Sequence, residues 1–314
     1  MKITVVGPGA LGCLLGGVLM FRAQQEVWFL DHNPERAANI AKNGLIFEEG
    51  GRIMTGPARI TVSAGQIGPA DLLLLCVKSH NVDQFLAGAG PDLCGPQGLL
   101  VAFQNGILHI DLLKRWRTDI GVALGVTAQG ATLLGPGHVR HAGIGETRVG
   151  FIREEAASRH DALLRAAGLL SSVGIETEKV ANIMDHVWRK LIVNAGINAL
   201  TAIFDCPNGE LLASSRTSAM LKVAVEEATL VAMAKGITIT DDPVAMTINV
   251  CQTTKDNLSS MLQDIRNGRR TEIEAINGAV IREGKALGIP TPINEELYKK
   301  VKALEASFPE RASL

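Results

Sequence analysis

The first thirty residues show a short β-rich run, then a glycine-rich segment, then apolar residues at helical spacing. The run covers residues 2–7, and the spaced apolar positions are Leu14, Leu15, Val18 and Leu19. This order predicts a strand, a tight turn and a helix with an apolar face. The turn comprises Gly7, Pro8, Gly9, Ala10, Leu11 and Gly12.

The GxGxxG spacing of that turn is typical of a dinucleotide-binding site. The first glycine permits the tight turn, the second lets the backbone approach a pyrophosphate, and the third lets helix and strand pack closely. The phosphate then lies at the positive end of the helix. A surface loop with accidental glycines would show the same letters, but the position at the first strand–helix junction favours the cofactor site.

A second strand is predicted at Val27–Leu30 and ends at Asp31. An acid roughly 20 residues beyond the glycines can accept hydrogen bonds from the adenosine ribose, which favours NAD(H) over the 2′-phosphorylated form. Asp31 could equally be a strand-end acid before the next helix. Arg36 follows closely enough to hold a 2′-phosphate if the chain bends toward it. The residues therefore leave the choice between NAD(H) and NADP(H) open.

Two apolar runs further along predict parallel strands that are buried on both faces. Lys78 follows the run at 71–77, and Asn105 follows the run at 98–103. Ligands of doubly wound sheets bind at the carboxyl ends of the strands, so both residues are candidates for contacts with cofactor or substrate. Lys78 could also simply open a loop, and Asn-Gly is an ordinary turn dipeptide.

The rest of the first half continues the sheet. A further apolar strand is predicted at 120–126, and a helix at 161–170 should close the domain. Between them, short strands and glycine turns from Gly137 to Phe151 predict antiparallel additions to the sheet edge.

From Ala181 the pattern becomes largely helical. The sequence therefore predicts an α/β fold, with an N-terminal Rossmann-type doubly wound sheet followed by a mostly α-helical C-terminal domain. We expect a dinucleotide-binding domain over 1–180 and a substrate-binding, catalytic domain over 181–314. A chain of 314 residues is long enough for two cores.

One predicted helix of the second half has a polar stripe. Lys190, Asn194 and Asn198 stand at i, i+4 and i+8 and so share one face. Most such stripes are solvated, but asparagine is a poor helix former and a free surface usually has Glu, Lys or Gln. The stripe therefore predicts a pocket whose amides need partners. A lysine there could donate a proton to the oxygen of a reduced carbonyl, and we expect Lys190 to be that donor.

A second polar group is predicted further along. Asn257, Ser260 and Asp264 should share a helix face, and Thr271 with Glu274 should form a capping box that opens the next helix. Glu272 would then lie in a first helical turn, where acids complement the macrodipole. A carboxylate at this place could equally accept a hydrogen bond from a substrate hydroxyl, and both interpretations stand.

Composition narrows the class of partner. The 31 basic and 32 acidic residues nearly balance, and only 4% of residues are aromatic, so we expect neither nucleic acid nor membrane as a partner. The chain opens on a strand-like run rather than a signal sequence, which predicts a cytoplasmic protein. The five cysteines lack metal-ligand spacing, so we expect no metal and interpret them as core thiols. The helical half could supply a homodimer interface, although no stripe demands one.

The motifs together resemble the ketopantoate reductase (2-dehydropantoate 2-reductase) family along nearly the whole chain. They are GPGALG, VKSHNV, FQNG, WRKLIVNAGINALTAIFDCPNGEL, NLSSMLQDIRNGRRTEIEAINGAVI and GIPTPINEELYKKVKALE. The resemblance implies reduction of 2-dehydropantoate to (R)-pantoate in pantothenate and coenzyme A synthesis, with NADPH as the usual donor.

The resemblance also implies roles for single residues. Lys190 matches the general acid and Glu272 the functional glutamate. The positions that match substrate contacts are Asn105, Asn194, Asn198, Asn208, Asn257 and Ser260. The positions that match the surroundings of the cofactor, besides the glycine turn, are Asp31, Lys78, Asn105, Ala131 and Glu272.

One residue departs from the family pattern. NADPH-dependent members place a basic residue at the end of the second strand, where this chain has Asp31. We therefore predict that NADH is used at least as well as NADPH. Another small branched 2-keto acid is the nearest alternative substrate, and an inactive dinucleotide-binding sensor is the alternative from another class. The presence of the full catalytic polar set argues against the sensor; the set is Lys190, Asn194, Ser260 and Glu272.

Overall fold

The computed structural model describes residues 1–308. Contacts within the chain divide it into two compact units. Unit 1 comprises Met1–Gln104 and His109–Ile183, and unit 2 comprises Asn105–Leu108 and the chain from Met184 onward. The domain boundary expected after residue 180 stays a prediction.

Unit 1 is built on strands joined by helices. Its strands are β1 (Lys2–Val6), β2 (Glu26–Leu30), β3 (Leu45–Glu49), β4 (Arg52–Gly56), β5 (Arg59–Thr61), β6 (Ala70–Leu75), β7 (Cys94–Ala102), β8 (Gly121–Thr127), β9 (Gly130–Gly135), β10 (His138–Gly143), β11 (Thr147–Phe151) and β12 (Thr177–Lys179). Its helices are α1 (Ala10–Phe21), α2 (Pro34–Asn43), α3 (Ala64–Ile67), α4 (Val82–Ala87), α5 (Gly90–Leu93), α6 (Ile110–Arg115) and α7 (Ala157–Ser172).

The main sheet has the order β12-β11-β8-β7-β6-β1-β2-β5. From β8 to β5 all neighbours are parallel. The chain first moves outward from β1 through β2 to β5, and then continues on the other side of β1 with β6. This is the doubly wound arrangement with its switch point between β1 and β6, where dinucleotides bind. The predicted fold class is confirmed.

The predicted strands at the sheet edge need a correction. β11 pairs antiparallel with β8, as expected, but β12 lies beyond it. β9 and β10 instead belong to a separate sheet of order β4-β3-β10-β9, in which β10 runs parallel to β3. The second sheet exists because Leu45, Phe47 and Val139 bury their side chains completely in the core that also contains α1.

Unit 2 is helical. After the start of α8 (Ile183–Phe204), its helices are α9 (Ser215–Ala234), α10 (Pro243–Thr253), α11 (Ser260–Arg266), α12 (Asn277–Leu287) and α13 (Pro292–Ala306). They surround a second apolar core that includes Trp188, Leu221 and Leu297. No helix within residues 1–308 has both the length and the apolarity needed to cross a membrane.

Candidate functional site

The glycine turn of unit 1 lies between β1 and α1. Gly7 has φ +90°, and a Cβ there would come within 2.9 Å of the Val77 backbone nitrogen. A Cβ on Gly12 would lie 2.2 Å from the Gly7 oxygen. A Cβ on Gly9, by contrast, would meet no described atom within 4 Å. Two of the glycines are thus required by the fold, while the middle one faces open space.

The beginning of α1 is suited to an anion. Its first turn contains no acid, and no side chain within residues 1–308 caps it. The first backbone N–H groups of a helix have no partner within the helix and attract negative charge. The turn and the helix start therefore fit a dinucleotide pyrophosphate, which would approach the backbone at Gly9.

Asp31 follows β2, as the sequence predicts, but its carboxylate is engaged. Its side chain is 0% exposed. Arg36 donates from Nε to Oδ2 and from Nη2 to Oδ1, both at 2.5 Å. The chain bends back at this place because α2 begins at Pro34 and Asn33 caps it by accepting from the Arg36 backbone N–H. The end of β2 therefore presents a neutral pair rather than a single negative charge.

Two other residues expected near the cofactor lie at different places in unit 1. Lys78 is half-buried just beyond the carboxyl end of β6, where a short 3₁₀ helix at Ser79–Asn81 begins. Ala131 lies on β9 of the second sheet, opposite His141 of β10. Their contacts with a cofactor stay predictions.

In unit 2, the polar stripe lies on one continuous helix. Lys190, Asn194 and Asn198 all belong to α8. Asn198 is buried, whereas Lys190 and Asn194 are half-buried. Burial lowers the pKa of Lys190 to about 8, and attraction by Glu272 opposes that effect. A lysine with this pKa exchanges a proton near neutral pH, which an ordinary surface lysine does not.

Glu272 is buried, with 5% of its surface exposed. The Asn105 side chain donates from Nδ2 to Glu272 Oε2 at 2.9 Å. The neighbouring residue fixes this contact, because Gly106 has φ +78° and a Cβ there would lie 2.0 Å from the Ala275 oxygen. The structure thus brings together Asn105, Glu272 and the charge of Lys190. The need for glycine at 106 was missed, although FQNG contained the signal.

The predicted capping box is wrong. The helix after Glu272 begins only at Asn277, and residues 273–276 form turns before it. Thr271 gives its hydroxyl hydrogen to Glu305, and Glu274 accepts from the Tyr298 hydroxyl. Both side chains of the predicted box thus hydrogen-bond to residues of α13 instead of to the start of a helix. Glu272 is therefore not an acid in the first turn of α12, and the structural explanation for it falls away.

The remaining predicted substrate contacts divide into two places. Asn208 is buried and donates from Nδ2 to the Thr254 hydroxyl at 2.8 Å. Its backbone N–H donates to the Asn257 oxygen at 3.0 Å, so these two residues are neighbours. The prediction that Asn257 lies on a helix is wrong, because it precedes α11. Ser260 is exposed at the first position of α11.

The cap of α11 explains this start. The Ser259 hydroxyl accepts from the Leu262 backbone N–H at 3.1 Å and from the Thr201 hydroxyl at 2.7 Å. The helix begins after Ser259 because this residue both caps it and ties it to α8. Ser260 is therefore placed beside a fixed contact with the helix that contains Lys190.

Comparison with known proteins covers both halves of the chain. A family model described as ketopantoate reductase PanE/ApbA matches residues 3–154, and its C-terminal counterpart matches residues 182–305. A 2-dehydropantoate 2-reductase of Halobacterium salinarum is 34% identical over 96% of this chain and 98% of its own length.

Solved structures agree with this. A PanE/ApbA family ketopantoate reductase from Ralstonia eutropha superposes with a TM-score of 0.87 at 32% identity, covering 98% of this chain and 99% of that chain. A D-mandelate dehydrogenase bound to NADH and anilino(oxo)acetate gives a TM-score of 0.88 at 29% identity and the same coverage. The resemblance of the sequence motifs is confirmed. The chain belongs to the ketopantoate reductase PanE/ApbA family and is an NAD(P)H-dependent oxidoreductase of the 2-keto acid type.

Proposed function

We propose that this chain is a 2-dehydropantoate 2-reductase, which reduces 2-dehydropantoate to (R)-pantoate and so serves pantothenate and coenzyme A synthesis. The observation that supports this most directly is the pairing in unit 2 of a lysine of lowered pKa with a buried carboxylate. The curated relatives named 2-dehydropantoate 2-reductase support the same substrate.

NAD(P)H would be held by the glycine turn of unit 1, whose middle glycine leaves room for a pyrophosphate. When bound, the cofactor supplies a hydride to the keto carbon. The protein supplies the rest of the chemistry. As the carbonyl carbon is reduced, negative charge develops on its oxygen, and a nearby ammonium both stabilises and neutralises that charge.

Lys190 is the proposed ammonium. With a pKa of about 8, the side chain is mainly protonated at pH 7, yet it releases its proton far more easily than a solvated lysine. Asn194 and Asn198 follow it on the same face of α8. Their amides would bind the carboxylate and keto oxygen of the substrate and orient the carbonyl.

Glu272 is the proposed determinant of substrate choice. A buried carboxylate that Asn105 orients is suited to accept a hydrogen bond from a hydroxyl. 2-Dehydropantoate has a distal hydroxyl, and ketoisovalerate lacks it. A site built for a hydroxyl discriminates strongly against an analogue without one, because its buried polar group then loses a partner.

We also propose that NADH is used at least as well as NADPH. Arg36 commits two donors to Asp31, and the pair has no net charge to attract a 2′-phosphate. The D-mandelate dehydrogenase relative binds NADH, which is consistent with this choice.

That relative also gives a second candidate, reduction of an aryl 2-keto acid. The test compares kcat/KM for 2-dehydropantoate, ketoisovalerate and benzoylformate, each with NADH and with NADPH, by following reduced-nicotinamide absorbance. We expect 2-dehydropantoate to be preferred over ketoisovalerate by at least about tenfold, and Glu272→Gln to reduce that preference. Preference for benzoylformate would replace the proposal by the second candidate.

A further inference from the structure

Three polar side chains that the proposed chemistry does not use form a buried network in unit 2. Glu227 is 6% exposed, and Asn277 and Asn294 are 0% exposed. They come from α9, α12 and α13. Polar groups are costly to bury, so a network of three needs an explanation in the fold or in the chemistry.

Asn277 is the first residue of α12, and its side chain connects this helix to α8 and to α13. Its Nδ2 donates to the Ala195 backbone oxygen of α8 at 3.1 Å and to Asn294 Oδ1 at 2.9 Å. Its own Oδ1 has no hydrogen-bond partner within residues 1–308. The unsatisfied oxygen makes this side chain costly to bury, and the two bonds that its amide donates offset that cost.

Asn294 and Glu227 anchor that connection. Asn294 Nδ2 donates to the Ala224 oxygen at 3.0 Å and to Glu227 Oε2 at 2.8 Å. The Glu227 carboxylate also accepts the backbone N–H groups of Ile293 and Asn294, each at 2.9 Å. The carboxylate therefore satisfies the beginning of α13, and Asn294 is fixed from both sides.

Both residues of the hydrogen bond from Asn277 to Ala195 lie close in sequence to residues of the proposed site. Ala195 is the neighbour of Asn194 on α8. Glu272 lies five residues before Asn277, and its backbone oxygen accepts the N–H groups of Ala275 and Ile276 at 3.0 Å. The bond from Asn277 to Ala195 therefore ties the helix that directly follows residues 272–276 to α8.

We propose that Asn277 is a positioning residue, which holds Glu272 in place against Lys190 by tying the start of α12 to Ala195. The roles of Lys190 and Glu272 in this statement rest on the proposed function, but the positioning itself does not. Glu272 is the charge that opposes the effect of burial on Lys190, so moving it away leaves burial unopposed and lowers the pKa of Lys190 further.

The direct test measures the protonation of Lys190 without any turnover. The full chain is labelled with an amine-reactive reagent at a series of pH values, and the labelling of Lys190 is followed by peptide mass spectrometry. Asn277→Leu keeps a similar size, adds no charge and removes both donated bonds. We expect the midpoint of Lys190 labelling against pH to be about half a pH unit lower in this variant than in the wild type. Below the midpoint, labelling of Lys190 should then be about threefold faster.

Two further variants make the result decisive. Asn249→Leu changes an exposed asparagine of α10 and should leave the midpoint unchanged. Asn277→Ser retains one donor and should shift the midpoint in the same direction by less, and it decides the question if circular dichroism shows that Asn277→Leu is unfolded. An unchanged midpoint in a folded Asn277 variant overturns the positioning role.

Kinetics separate this proposal from the proposed function. If the protein reduces 2-dehydropantoate, Asn277→Leu should lower kcat about tenfold with little change in cofactor affinity. If no 2-keto acid is reduced but the Lys190 midpoint still falls in the variant, the positioning role stands and the proposed function fails. If the variant turns over 2-dehydropantoate normally and its Lys190 midpoint is unchanged, the proposed function stands and the positioning role fails.

Discussion

The pKa of Lys190 lies close to neutral pH, because burial lowers it and the charge of Glu272 opposes that effect. This pKa is about 8, and the ammonium is the form that can give a proton. This form is present below the pKa and is lost as pH rises through it. We expect kcat for reduction to be level on the acid side and to fall about tenfold per pH unit well above 8.

Initial rates at saturating substrate over a range of pH check this expectation. Glu272→Gln is the informative comparison, because loss of the attracting charge lowers the pKa of Lys190. The fall in kcat should then begin at lower pH. A kcat that rises through pH 8 would exclude Lys190 as the proton donor.

We expect the ion pair of Asp31 and Arg36 to determine the choice between NADH and NADPH. In Asp31→Asn the carboxylate charge disappears and Arg36 is released from its ion pair. An unpaired guanidinium binds phosphate well, so we expect the affinity for NADPH relative to NADH to rise about tenfold. Arg36→Ala should move the ratio in the other direction, because it leaves only the acid.

Dissociation constants from nicotinamide fluorescence titrations measure both ratios without substrate. Equal ratios in the two variants would show that this pair does not select the cofactor.

The sequence correctly located Asp31 at the end of a strand, and it indicated Arg36 as a candidate for phosphate binding. It did not contain the bidentate contact, because the bend at Pro34 that returns Arg36 to Asp31 is a feature of the folded chain.

At the scale of elements, different glycines of the β1–α1 junction serve the fold and the proposed ligand. Gly9 has extended backbone angles and open space around its missing Cβ, whereas a Cβ on Gly12 would contact the Gly7 oxygen at 2.2 Å. We expect Gly9→Ala to keep the stability of the wild type and to weaken dinucleotide binding by tenfold or more, about 1.4 kcal/mol. Gly12→Ala should lower the melting temperature as well.

Thermal denaturation and dinucleotide titration of both variants, compared with wild type, check these expectations. Normal dinucleotide affinity in Gly9→Ala would contradict the placement of the pyrophosphate at this turn. The pair of variants is matched, because each adds one methyl group at the start of α1, Gly9 directly before the helix and Gly12 in its first turn.

The central strands of the main sheet, unlike the short polar strands β5 and β12 at its edges, could be predicted because each contains an apolar run. The second sheet could not. An apolar run indicates a strand but not its partner, and β10 pairs in parallel with β3, which lies some ninety residues earlier. The start of α11 was also ambiguous, since Asn257, Ser259 and Ser260 are all capping residue types, and the contact from Thr201 favours Ser259.

At the scale of the whole molecule, the cofactor turn and the proposed proton donor belong to different compact units. Affinity for the dinucleotide and the rate of the chemical step should therefore respond to different residues. A bound dinucleotide at one hundred times its dissociation constant adds about 2.7 kcal/mol to the free energy of unfolding. This makes the melting temperature a measure of cofactor binding that is independent of turnover.

Lys190→Ala and Gly9→Ala should give opposite results. Lys190→Ala should retain the rise in melting temperature that the dinucleotide causes, and its kcat should fall by about a hundredfold or more, because general acid catalysis is lost. Gly9→Ala should lose most of that rise but recover turnover at high cofactor concentration. The two effects should add in the double variant, since the two residues belong to different compact units. Loss of cofactor stabilisation in Lys190→Ala would instead assign Lys190 to dinucleotide binding and leave the proton donor to another residue.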